Sequence, residues 1–82
     1  MKHYTAEEKK NQTHAKALLA GIEGAPDTYL PRRAVIVDWL NGYLLRSDRR
    51  DYVMDPTEAD DLAELEKFLR QHDVPVTALA AA

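Results

Sequence analysis

The chain has no cysteine, one serine, one tryptophan, one phenylalanine and three glycines among its 82 residues. Without cysteine there is no disulfide and no thiolate zinc site. Cysteine usage therefore leaves the compartment open, and a cytoplasmic location is the simplest expectation. No apolar run approaches the ~20 residues that span a bilayer. The stretch Met1 to Glu8 lacks the apolar centre of a secretory signal, so no membrane is expected as a partner. The glycines Gly21, Gly24 and Gly42 match no phosphate-binding loop. Ser47 stands in a charged stretch with no histidine beside it, which leaves a hydrolytic nucleophile without its base. His3, His14 and His72 lack the mutual spacing of a metal site and are read as solvent-facing. Neither a metal nor a cofactor is expected, and the chain is read as a non-enzyme.

Charge is present in quantity but unevenly placed, within a net −3. Residues 1–30 carry four lysines and four acids. Residues 31–50 carry five arginines and two aspartates, and residues 51–82 carry two bases and eight acids. Local charge thus runs from neutral through +3 to −6. Such segregation bears on association and solubility more than on fold. A chain this short buries only roughly 60–65% of its unfolded surface, so its core is marginal and self-association would add to it.

The densest apolar stretch is Leu30 to Arg46, with Pro31 suited to a first helical turn. At about 100° per residue, Ile36, Val37, Trp39, Leu40, Tyr43 and Leu44 gather on one side. That width suits a helix packed between two neighbours, so this segment is expected to be the central one. A buried Trp39 would cost roughly 3–5 kcal/mol to truncate. Val35 and Leu45 fall on the polar side and read as scattered surface apolars, with a second contact surface as the alternative. Gly42 weakens the helix by roughly 1 kcal/mol relative to alanine.

Thr5-Ala6-Glu7-Glu8 reads as a capping box that opens a first helix. Its first half is polar all round, so the helix is expected to be anchored at its C-terminal half by Ala15, Leu18, Leu19 and Ile22, with its start free to project into solvent. Gly21 and Gly24 read as stop signals. Asp27 or Thr28 is expected to cap the second helix. Asp55-Pro56-Thr57-Glu58 reads as a cap and capping box for a third helix, with Leu62, Leu65, Phe68 and Leu69 on its apolar face. Pro75 ends it. The result is an all-α antiparallel three-helix bundle in one domain, with helices over about 6–22, 30–46 and 56–72. Residues 1–4 and 76–82 are expected to be flexible. The tail Ala78-Leu79-Ala80-Ala81 resembles the end of the peptide tag that bacterial ribosome rescue adds for proteolysis. Here it is followed by one further alanine, Ala82, and a fraying chain end is the preferred reading.

For function, the missing chemical groupings and the segregated charge point to a protein-binding module, a regulator or inhibitor that works by occupying a partner's surface. Small acidic helical proteins that inhibit host or defence complexes, of the phage or mobile-element kind, share this size and charge, which is analogy only. The expected contact residues are Arg46, Arg49, Arg50, Asp51, Asp60, Asp61 and Glu64, with a homodimer as one arrangement. The alternative is a nucleic-acid-binding regulator using Arg32, Arg33, Arg46, Arg49 and Arg50. The two arginine pairs lie about 25 Å apart along a straight helix at ~1.5 Å per residue. The links are too long for a helix-turn-helix, so nucleic acid is the less favoured partner. The arginines otherwise read as salt-bridging to the acidic third helix and its link.

Overall fold

The computed structural model describes residues 4–76. The tail motif Ala78 to Ala82 and His3 lie outside them. Three helices follow in order: α1 over Ala6–Glu23, α2 over Arg33–Ser47 and α3 over Glu58–Gln71. The described residues contain no strand. The fold is the expected all-α three-helix bundle, but its centre is different. Helix α1 packs against both α2 and α3, whereas α2 and α3 make no close backbone approach to each other. The shared spine is therefore α1, and the apolar α2 is one of two flanking helices. The core shows this: Ala15, Leu18 and Ile22 of α1 are buried with Leu40 and Tyr43 of α2 and Leu62 and Leu69 of α3. Full burial of a leucine or isoleucine is worth roughly 1.5–3 kcal/mol, so the α1 stripe stabilises both partners at once.

Topology follows from cross-links between the ends. Gln12 of α1 donates to Ser47 Oγ at the end of α2 (2.8 Å) and to Asp48 Oδ1 (3.3 Å). Arg33 at the start of α2 donates to Ile22 O at the end of α1 (3.0 Å). The two helices are therefore antiparallel. Asn11 Nδ2 meets Met54 Sδ ahead of α3 (3.7 Å), while Gly21 faces Pro75 beyond it. So α3 runs back up beside α1.

The first half of α1 lies along the bundle on one side, with Ala6, Glu7, Lys9, Lys10 and Thr13 exposed and Asn11, Gln12 and His14 turned toward the other elements. Its capping box forms as expected, with Glu8 N donating to Thr5 Oγ1 (3.1 Å) and Thr5 N to Glu8 Oε1 (3.2 Å). Beyond it, the polar residues reach neighbouring elements. Asn11 is buried, and His14 is half-buried with Nε2 2.7 Å from Glu66 Oε1 of α3. His14 is thus a cross-link rather than a solvent-facing ring. Tyr4 donates to Asp48, and Val76 at the other end is buried in the core. His72 packs against Phe68, ring centroids 4.5 Å apart.

The helix starts differ from the sequence reading. Asp27 and Thr28 do not cap α2. Its N-cap is Arg32, held in the left-handed region at φ 56° with no side-chain cap. Pro31 stands before the helix rather than in its first turn. The loop is pinned instead by buried Leu30 and by the Arg33 guanidinium, which donates to the carbonyls of Ile22, Ala25 and Thr28. At α3, Asp55 Oδ1 accepts from Thr57 N (2.9 Å) and Thr57 Oγ1 (2.8 Å), and the helix begins at Glu58. These bonds hold the Asp55 carboxyl below its ordinary pKa, the backbone bond being the larger cause. The Glu58 carboxylate does not reach back to form a box. It accepts from Tyr52 OH instead.

The end of α3 is a Schellman turn. Val74 N donates to Leu69 O (3.0 Å) and Asp73 N to Arg70 O (3.2 Å), with Asp73 left-handed at φ 62°. The chain then crosses α1 at Gly21. Gly21 does not stop α1, which continues to Glu23. Its missing side chain makes room for the chain end, because a Cβ there would lie 2.5 Å from Pro75 O. Gly24 is the C-cap, at an ordinary φ of −77°.

Two outcomes follow. Gly21→Ala gains helix propensity but drives a methyl into a backbone carbonyl. Overpacking of this kind outweighs the gain, and urea unfolding should show a loss of about 1–2 kcal/mol. Glu66 is held below its ordinary pKa, chiefly by His14, with Arg70 Nε (3.0 Å) assisting. A carboxylate with a lowered folded pKa stabilises above its unfolded value, and that contribution is lost as pH falls through the folded value. Unfolding across pH should show Glu66→Gln less stable than wild type near neutrality, with the difference closing in the acid range.

Candidate interaction surface on the second helix

Helix α2 carries more apolar surface than one neighbour can cover. Leu40, Tyr43 and Ser47 are buried toward α1, with Ile36, Val37 and Leu44 packed at the shoulders. Trp39 does not join them. It is 38% exposed, lying at the edge of the buried face with its ring parallel to Tyr43 at 6.0 Å and 11°. Because α2 has one helical neighbour rather than two, the stripe read as its buried face is only partly used. Val35 and Leu45 are 54% and 72% exposed. With Trp39 they give the outer side of α2 an apolar character, bordered by Ala34, Asp38, Asn41 and Arg46. Exposed apolar groups that gather on one element mark a contact site more often than scattered ones do.

Tyr43 anchors this helix from beneath. Its hydroxyl lies among Glu58, Tyr52 and Asn11, and burial raises its pKa. Tyr52 is raised further, by burial and then by its bond to Glu58. Ser47 is the last residue of α2, buried, and donates to Leu44 O (3.0 Å) while accepting from Gln12. Its hydroxyl is engaged in structure.

The charged residues expected at a partner surface fall in separate places. Arg46 is exposed at the end of α2, its guanidinium passing 3.5 Å from where a Gly42 Cβ would stand. Arg49 pairs with Asp51 in the following link (3.2 Å), both well exposed, and such pairs contribute little. Arg50 is exposed beside them. Asp60, Asp61 and Glu64 are exposed on α3. Among the described residues no ion pair joins the α2 arginines to α3, and the two helices make no close backbone approach. Of the arginines considered for nucleic acid, Arg33 is committed to three backbone carbonyls, whereas Arg32, Arg46, Arg49 and Arg50 are exposed.

Among the described residues, no three of His, Cys, Asp and Glu are grouped to hold a metal ion, and no helix is long and apolar enough to cross a membrane. Comparisons with protein families, with curated proteins and with solved structures return no match for this chain.

The signal for the α2 surface was present as Val35 and Leu45 on the polar side of an otherwise apolar helix. What pattern alone did not show is that Trp39 belongs with them. Gly42 is the sensitive probe of this face. Within the molecule a Cβ there would meet only the flexible Arg46 side chain. In dilute protein, Gly42→Ala should therefore raise stability by about 0.5–1 kcal/mol. Trp39→Ala should cost less than the roughly 3–5 kcal/mol of a fully buried ring. Urea titration of both variants measures the two effects, and a destabilising Gly42→Ala would place α2's outer side against something within the fold.

Proposed function

We propose that this protein is a non-enzymatic protein-binding module, a regulator or inhibitor that acts by covering a partner's surface with the outer side of α2. The observation that carries the reading is that α1 is the one helix whose backbone approaches α2 closely, while Val35, Trp39 and Leu45 stay exposed on α2. Arg46, Arg49 and Arg50 border one end of that surface. The acids Asp60, Asp61 and Glu64 form a separate charged face on α3. An apolar centre with a charged rim is the usual anatomy of an interface, and the rim charges tune approach rate and salt dependence.

One arrangement favours a second reading as nucleic-acid binding. Trp39 and Arg46, seven residues apart, share one line of α2, and Arg32 is exposed just ahead of it. An aromatic between cations is a stacking platform for unpaired bases. A mobility-shift assay at low salt, where phosphate contacts are strongest, separates the readings. Absence of a shift there rejects the second one.

The test of the first reading is retention from a bacterial lysate by the tagged protein, read by mass spectrometry beside a Val35→Lys/Leu45→Lys variant. Both positions are exposed, so the variant should fold. Proteins held by the wild type and lost from the variant are expected. An identical retained set, or none, contradicts a role for this face.

A further inference from the structure

We propose that the occupant of the α2 outer face is a second copy of this chain, paired antiparallel so that Trp39 of each copy lies over Gly42 of the other. This deepens the reading of α2 as a contact surface and rests on it.

Three features point to a second copy. The first is spacing. Val35, Trp39, Gly42 and Arg46 follow one another at intervals of four, three and four, the repeat of a seam between two packed helices. The second is shape. Trp39, 38% exposed at the edge of the buried face, offers the open part of an indole held in place by its stack on Tyr43. One turn further along, Gly42 has no side chain, and only the flexible Arg46 guanidinium, 3.5 Å from where a Cβ would stand, lies over it and would have to swing aside. Unlike Gly21, whose missing side chain admits Pro75, Gly42 admits no backbone of its own molecule. A projection and a hollow on the same patch are self-complementary under a two-fold axis. Each copy then offers its knob to the other's hole, and the contact closes as a dimer.

The third is charge. With the axis midway between Trp39 and Gly42, Val35 of one copy stands level with the partner's Arg46. Asp38 then lies within about 4–5 Å of that level at ~1.5 Å rise per residue, inside the reach of an arginine. Parallel pairing would set Arg46 against Arg46 and Asp38 against Asp38. Like charges placed together across an interface are costly, and opposite ones fix its register. The exposed Asp38 and Arg46 thus choose the antiparallel arrangement.

The experiment is sedimentation equilibrium of the purified full chain over a wide concentration range, on wild type and four variants. Wild type should show a reversible monomer–dimer equilibrium. Gly42→Gln puts a helix-forming side chain into the hollow and should abolish dimer while circular dichroism keeps its helix content. Asp38→Arg and Arg46→Asp should each weaken the dimer about tenfold, and the double variant should restore most of it, the mark of a direct pair. A wild type that stays monomeric at every concentration overturns the proposal. So does a dimer indifferent to Gly42→Gln, or charge variants that the double exchange does not rescue. A monomer that still retains a foreign protein through Val35 and Leu45 leaves the binding reading standing and removes only the second copy as its occupant. A monomer that shifts an oligonucleotide instead assigns the face to nucleic acid.

Discussion

The fold depends on one helix serving two neighbours. Ala15 and Leu18 are completely shielded and Ile22 is 1% exposed, because α2 and α3 both close over α1 without closing over each other. In a chain of this size few apolar contacts can be spared, so each residue of that stripe counts twice. The polar residues of α1 are drawn in for the same reason. Asn11, Gln12 and His14 lie on the same helix as the apolar stripe, and they find partners in Met54, Ser47 and Glu66. Buried polar groups that are satisfied in this way fix the register of elements that apolar packing alone would leave free to slide. The returning chain end completes the spine where Val74 and Val76 cover its last turn and Gly21 lets the backbone pass.

The same constraint shapes the surface. A helix with apolar residues on most of its circumference, packed against a single neighbour, must show some of them to solvent. That is the state of α2, with Tyr43 and Leu40 inside and Val35, Trp39 and Leu45 outside. Arginine is placed by the same geometry. Arg33 lies beside the end of α1 and is spent on carbonyls there, which closes the α1–α2 loop. Among the described residues, the arginines at the other end of α2 form no ion pair with α3. Of the basic stretch, only Arg49 pairs with the acidic one among the described residues, through Asp51 in the link, and Arg32, Arg46, Arg50, Asp60, Asp61 and Glu64 stay exposed.

Much of the fold was legible because its signals are local. The Thr5–Glu8 box marks the start of α1, and the 3.6-residue spacing of Leu62, Leu65 and Leu69 marks the inner side of α3. Helix starts were harder, since α2 begins after a left-handed Arg32 rather than at a side-chain cap, and Glu58 was drawn away from the expected box by Tyr52. Which helix lies in the middle was not legible at all. Apolar width suggested α2, but a wide stripe describes either a helix held by two neighbours or one neighbour and an open side. Polar composition of α1 suggested solvent for the same kind of reason: sequence shows that Gln12 and His14 are polar, not that Ser47 and Glu66 will stand opposite them. Of the candidate surface, Val35 and Leu45 were visible as misfits in the pattern. Trp39 was not, because its position at the edge of the buried face is decided by how far α1 reaches around α2.

The most direct measurement of α1 as the shared spine is the set of interhelical nuclear Overhauser contacts in the labelled full chain. Cross-peaks should connect α1 to both α2 and α3, with none between the backbones of α2 and α3. A dense set joining α2 to α3, with α1 touching only one of them, would contradict the arrangement.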